Sequence, residues 1–216
     1  MRRSIAWVFC VALLGALLLP GCGIYEKKAL VGTWTGSVDL TQPLNDAIEP
    51  QLGELNQFYT FDSFVLECIV TFTGEGTYTV GFERSSVERA FEQIMADLEA
   101  GMYAYMEQIL QDQGLDVTVE EYLEQGGSSI KRAMEQTLAA MDPEALIEEL
   151  LETTAMEGNF DAEGGKLMLS DGLEYQPDPA VYHTYRLSGG TLTIEQGSAE
   201  GSQIDALFPL ILKKAR

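Results

Sequence analysis

Apolar and polar residues alternate with period two near both ends of this chain, and recur with period 3.6 in between. From Gly32 to Leu40, Trp34, Gly36, Val38 and Leu40 fall on one face and Thr33, Thr35, Ser37 and Asp39 on the other. That alternation predicts a half-buried strand. Residues 43–58 carry neither period, although Pro43 suits the first turn of a helix. Phe64, Leu66, Cys68, Val70 and Phe72 then alternate with Val65, Glu67, Ile69 and Thr71. The turn Gly74-Glu75-Gly76 leads into Thr77–Phe82, where Tyr78, Val80 and Phe82 share a face. Two alternating runs joined by a short Gly-containing connection predict a hairpin.

The period changes at Val87. Phe91, Ile94, Met95, Leu98, Met102, Tyr105, Met106 and Ile109 follow at helical spacing, predicting an amphipathic helix that ends near Gln113-Gly114. Thr118 with Glu121 has the spacing of a capping box, in which the N-cap hydroxyl and the carboxylate three residues on satisfy each other's free N–H groups. A short helix follows to about Glu124, stopped by Gly126-Gly127. Another begins at Ser128 or Ser129 with Ile130, Met134, Leu138 and Met141 on its stripe. Asp142-Pro143 opens the last, an N-cap followed by Pro at the first helical position, with Leu146, Ile147, Leu150 and Leu151 as its stripe.

Period two returns after Met156. Gly158–Asp161 pairs with Lys166–Ser170 through Glu163-Gly164-Gly165, and Val181–Leu187 with Thr191–Glu195 through Ser188-Gly189-Gly190; Leu207–Lys213 is the last strand. Residues 171–180 and 197–203 read as loops. Neither strand group can close a sheet alone. The expected fold is therefore α+β: an antiparallel β-meander or barrel over residues 31–213, interrupted by a helical insertion at about 85–155.

The first residues stand apart from this pattern. Arg2 and Arg3 precede an apolar run from Ile5 to Leu19, shorter than the roughly 20 residues a membrane-spanning helix needs. A basic start, an apolar run and a small residue before a cut describe a secretory signal. Leu19-Pro20-Gly21-Cys22 resembles the bacterial lipobox. The resemblance implies a signal peptide over 1–21, cleavage before Cys22, a diacylglycerol on its thiol, and a tether over 22–30. The expected partner is then the membrane, through lipid on Cys22, and the expected location the extracytoplasmic face of a bacterial cell membrane.

Charge and cysteine content narrow the remaining classes. The chain has 13 Lys and Arg against 34 Asp and Glu, a net charge of −21; loss of Arg2 and Arg3 with the signal makes it −23. Such a charge repels nucleic acid and anionic lipid headgroups, so no nucleic-acid partner is expected, whereas it suits a cationic ligand. Cys10 leaves with the signal and Cys22 is assigned to lipid, so only Cys68 remains and no intrachain disulfide is expected. Cys68 alternates with apolar residues and reads as a buried small hydrophobe.

Gly32-Thr33-Trp34 on the first strand resembles the Gly-x-Trp signature of lipocalins and their bacterial lipocalin-like relatives, and Tyr185–Ile194 looks like one of their repeated hairpins. The resemblance covers 32–40, 60–83 and 156–213. It implies an up-and-down barrel that holds a small apolar ligand, with the Trp closing one end and a basic side chain from the last strand over it; Lys213 matches that role. A helical block between early strands departs from the family's pattern.

Few residues suggest chemistry. Ser128 and Lys131 have the Ser-x-x-Lys spacing of penicillin-recognising enzymes, but no Ser-Asp-Asn or Lys-Thr-Gly accompanies them, and Ser at a helix start is an ordinary cap. Asn159 to Gly164 imitates the start of a calcium loop, yet the twelfth place, which needs a bidentate Glu, is Ser170; a hairpin turn fits better. His183 is the only histidine and has neither a zinc-ligand set nor a nucleophile to serve. Met95, Met102, Met106, Met134, Met141 and Met156 lie in or beside the helical stripes and read as core in preference to an adaptable binding surface. No catalytic residue, metal or cofactor is assigned. The expectation is a non-enzymatic module binding a small apolar or cationic ligand, the alternative an interaction lipoprotein whose helical insertion docks an envelope protein.

Overall fold

The computed structural model describes residues 22–125, 129–130, 132, 142–198 and 208–215. The expected signal peptide, the core of the helix after Ser129, and Leu207 lie outside them. The described elements are α1 (Cys22–Leu30), β1 (Gly32–Asp39), α2 (Thr41–Leu52), a 3-10 turn (Gly53–Gln57), β2 (Val65–Phe72), β3 (Thr77–Phe82), α3 (Arg84–Asp112), α4 (Val119–Gln125), α5 (Pro143–Thr154), β4 (Met156–Glu163), β5 (Lys166–Leu169), β6 (His183–Ser188), β7 (Thr191–Glu195) and β8 (Leu210–Lys214). The eight strands close an antiparallel barrel in chain order, β1 to β8. An α+β fold, a barrel interrupted by helices between β3 and β4, is what the periodicities predict.

The turns explain the register. Gly164 and Gly165 have φ of 60° and 74°, Gly189 and Gly190 of 57° and 79°. Two successive positive-φ residues make the primed turn whose twist matches that of the flanking strands. These turns set Glu163 opposite Lys166 and Ser188 opposite Thr191; further along, Leu192 faces Leu212 of β8.

The chain forms two compact units. One comprises residues to Trp34, Val70–Thr79 and the chain from Met156. Its interior holds Trp34, Phe72, Tyr78, Phe160, Leu167, Leu192 and Leu212, none more than 2% exposed. Phe72 and Phe160 meet edge-on with centroids 4.7 Å apart. The Tyr78 hydroxyl donates to the Ser170 carbonyl at 2.9 Å, which satisfies its buried polar tip. A Cβ at Gly158 would run into that same carbonyl and the Tyr78 ring, so only glycine fits there.

The other unit comprises Thr35–Ile69 and Val80–Ala155. Leu66 of β2, Val87 and Ala90 of α3, and Ile147 of α5 form its core, flanked by Leu40, Phe64, Phe82, Leu150 and Leu151. Buried Ser86 ties α3 to β2: its hydroxyl donates to the Glu83 carbonyl at 2.7 Å and accepts from the Glu67 N–H at 3.0 Å. The capping box forms as predicted, with Glu121 N–H to Thr118 Oγ1 at 3.1 Å and Thr118 N–H to Glu121 Oε2 at 3.0 Å. Asp142 caps α5 by accepting from Ala145 N–H at 3.3 Å. A second cluster joins Leu110, Val119 and Ile130, with the partly buried Met102, Tyr103, Met106 and Leu123 packed against it, so two of the helical methionines border the core.

Three expectations need adjustment. The ambiguous stretch 43–58 is α2 and the 3-10 turn, with Pro43 in the first helical turn and Asn45 clamping both backbone groups of Phe61 at 2.9 and 3.0 Å. On α3 the buried positions are Ser86, Val87, Ala90, Gly101 and Leu110, not the large residues of the stripe. Close approach selects small side chains: a Cβ on Gly101 would meet the Phe58 carbonyl and the Tyr59 ring. The expected tether, 22–30, is not extended but the helix α1.

Cys68 is a free, fully buried thiol. Burial, then Glu67, pushes it up from 9.0 to about 11, and burial, then Asp171, pushes Tyr78 from 10.0 to about 12. Both groups are neutral acids whose native values exceed their unfolded ones. The stability they contribute is complete below pH 9 to 10 and disappears as pH rises through about 11 to 12. Urea midpoints measured against pH are therefore expected to hold steady to about pH 9 and then fall. Tyr78→Phe should cost about 1 kcal/mol at neutral pH, by stranding the Ser170 carbonyl, yet show a shallower alkaline decline. An unchanged alkaline slope in that variant would refute the assignment. In the same denaturation assay Phe160→Ala should cost about 3–5 kcal/mol, the range for an emptied aromatic core site.

Candidate functional site

The described residues assemble two places of functional interest, one in each unit. The first is the barrel end that carries the Gly74–Gly76, Gly164-Gly165 and Gly189-Gly190 turns, the start of β1 and the end of β8. Ala215 N–H reaches the Thr33 carbonyl at 2.9 Å, and Lys214 N–H the Gly190 carbonyl at 3.0 Å, which fixes these strand ends together.

α1 is docked on this end by its Glu26, Lys27 and Leu30 side. Leu30 is fully buried, and its carbonyl accepts the Trp34 indole N–H at 2.7 Å. Glu26 Oε2 accepts from the Gly165 N–H at 3.3 Å and from the Tyr185 hydroxyl at 3.2 Å. Burial first, and then Glu26, raises the Tyr185 phenol above its ordinary range, so it stays a donor to that carboxylate. Lys27 Nζ lies 5.1 Å from the Phe160 ring centroid and 3.8 Å from Asp161. A side chain at Gly76, where φ is 90°, would strike Lys27. The chain from Cys22 to Leu30 is thus anchored at two successive turns.

Trp34 is 1% exposed, and Lys214 Nζ lies 5.1 Å from its ring centroid. The basic partner implied by the lipocalin resemblance is therefore Lys214 rather than Lys213. Alternation explains the correction. Leu210 and Leu212 point into the barrel, so Lys214 follows them inward, while Lys213 stays outside opposite Thr191.

The second place lies where α3 ends and α4 begins. An open groove of about 460 Å³ is lined by Glu107, Leu110, Leu115, Asp116, Glu120 and Glu121 among others. Its charged lining is wholly acidic. Leu115, Val117 and Tyr122 are exposed in the same stretch, at 42%, 37% and 45%. Desolvation, then Glu120, raises the Tyr103 phenol beside it.

The remaining candidates resolve into structural roles. Ser129 Oγ accepts from Arg132 N–H at 3.1 Å, the bond of a helix cap; Ser128 and Lys131 lie outside the described residues. Asn159 lies within β4, the first strand of a hairpin. Its Nδ2 donates to the Leu173 and Tyr175 carbonyls at 2.8 and 2.7 Å. His183 is 4% exposed, sits opposite Leu167, and packs its ring 4.7 Å from that of Phe208. Among the described residues no group of three His, Cys, Asp or Glu could hold a metal, and no helix is long and apolar enough to cross a membrane. Sequence reasoning missed the Glu26–Tyr185 contact, whose two members lie 159 residues apart. No protein family, curated protein or solved structure matches this chain.

Lys214→Met is expected to cost about 0.5–1 kcal/mol and to shift Trp34 fluorescence, as loss of a cation from an indole face would. Lys213→Met should stay within about 0.5 kcal/mol of wild type in the same unfolding assay. Equal effects of the two substitutions would contradict the placement.

Proposed function

We propose that this chain is a lipid-anchored, non-enzymatic binding module on the extracytoplasmic face of a bacterial cell membrane. Its barrel serves as the scaffold and its helical unit offers the binding surface. The observation that carries the reading is the filling of the barrel. Residues lining a ligand-sized void are reachable by a water-sized probe, and the seven interior side chains of the barrel unit are exposed by 2% or less. An apolar ligand has no room beside them without repacking. An eight-stranded barrel is just wide enough for either side chains or one small ligand, and here side chains occupy that part of it.

The groove between α3 and α4 then becomes the favoured place, and its four carboxylates favour a cationic ligand of small size. Its exposed Leu115, Val117 and Tyr122 support a second reading, in which the helical unit docks an envelope protein with a basic, partly apolar surface. Anchoring rests on Leu19 to Cys22 and on α1, which begins at Cys22 and leads straight into the barrel.

Labelling with a palmitate analogue should mark wild type and leave Cys22→Ser unmarked; equal labelling would sink the anchor. Native mass spectrometry and thermal shift with a polyamine series test the groove. Stabilisation that falls several-fold in Glu120→Gln/Glu121→Gln and with added salt is expected for a cation held by carboxylates. A clean apo mass and no shift, with co-purification of a protein lost in the same variant, would replace the small ligand by the docked partner.

A further inference from the structure

We propose that the outward side of α1 is a membrane-contact surface, seated in the headgroup layer of an anionic bilayer through Tyr25 and Lys28. This rests on the anchoring of Cys22 and specifies how the anchored protein meets its membrane.

Three observations converge on it. First, α1 has two sides with opposite environments. Glu26, Lys27 and Leu30 are engaged with the barrel, whereas Tyr25, Lys28 and Ala29 are exposed. Tyr25, at 76%, is the most exposed of the large apolar and aromatic side chains among the described residues. It stands one helical turn after Cys22, the residue assigned to lipid. A tyrosine that close to acyl chains has a natural place at the headgroup level, where its ring is half in apolar surroundings and its hydroxyl in water.

Second, the docking of α1 removes the slack that a tether would have. Nine residues of helix span about 13 Å, against about 30 Å extended. Glu26 and Lys27 hold the helix in its second turn, so acyl chains on Cys22 bring Tyr25 and Lys28 to the bilayer with them.

Third, the charge is divided unevenly. From Cys22 onward the barrel unit has seven Lys and Arg against eleven Asp and Glu, a net −4; the helical unit has four against 23, a net −19. Anionic headgroups repel the barrel unit far less than the helical unit, so local cations can outweigh that repulsion only on the barrel unit. Lys28 and Lys213 form no ion pair among the described residues, and Lys213 lies at the barrel end on which α1 is docked. Cations so placed attract an anionic surface within a Debye length.

The test uses the mature, lipidated full chain in phosphatidylcholine–phosphatidylglycerol vesicles with brominated acyl chains. Tyr25→Trp places a reporter beside the anchor; the mature chain's own Trp34 is buried and supplies the background. On vesicles, the added emission should shift to the blue and be quenched about twofold, as for an indole at the interface. Lys28→Glu in that background should weaken the quenching on anionic vesicles and leave it unchanged on pure phosphatidylcholine. Vesicle-bound, acylated protein whose residue-25 emission is solvent-like and unquenched overturns the contact while the anchor stands. A photo-crosslinker at residue 25 that captures a protein instead of lipid does the same, by naming another occupant. Protein without acyl mass that fails to float with the vesicles overturns the anchor, and the contact with it.

Discussion

Closure of the barrel is the constraint on which the rest depends. Eight strands joined in chain order leave no sheet edge, because β8 returns to β1 and every ladder is paired. A closed cylinder of this size encloses a volume that must be filled, and Trp34, Phe72, Tyr78, Phe160 and the leucines of β5, β7 and β8 fill much of it. Filling then decides what else the chain can do. Side chains packed to exclude water leave little free volume beside them, and the surfaces added outside the strand order are then the larger unfilled features. The insertion between β3 and β4 is the largest such addition.

Closure also creates an end to be sealed, and α1 seals it. The indole N–H of Trp34 would be a buried donor without a partner; the Leu30 carbonyl, freed at the helix C-terminus, accepts it. Two orphan groups from different elements satisfy each other, which is why the helix stops where the strand begins. Lys214 covers the ring from the last strand. The first and last described elements therefore meet over one tryptophan, and loosening either exposes the same indole.

Much of this was legible in sequence because its determinants are local. Thr118 and Glu121 announce a cap three residues apart, Asp142-Pro143 announces another, and Gly-Gly pairs announce turns with positive φ. Alternation identified Trp34, Leu66, Cys68, Val70 and Phe72 as inward-facing. Alternation also contains the right lysine, since Leu210 and Leu212 put Lys214 on their own face of β8, toward Trp34. What sequence could not supply depends on distant partners. α1 carries little periodicity of its own, and only β4–β6, more than 130 residues away, make Glu26 and Lys27 docking residues. The small buried positions of α3 are hidden for the same reason: Gly101 is buried by Phe58 and Tyr59, which no helical stripe contains.

The uneven charge gives these pieces a common direction. Self-repulsion among 23 acidic residues in the helical unit opposes compaction, and the hydrophobic cluster of Leu66, Val87, Ala90 and Ile147 must overcome it. Solubility alone would not require confining the excess to one unit, since the same residues spread over the barrel would serve as well. Confinement makes sense if the two units face different surroundings. A barrel unit at −4 with exposed Tyr25 and Lys28 suits a headgroup layer better than a helical unit at −19, which suits water and basic ligands.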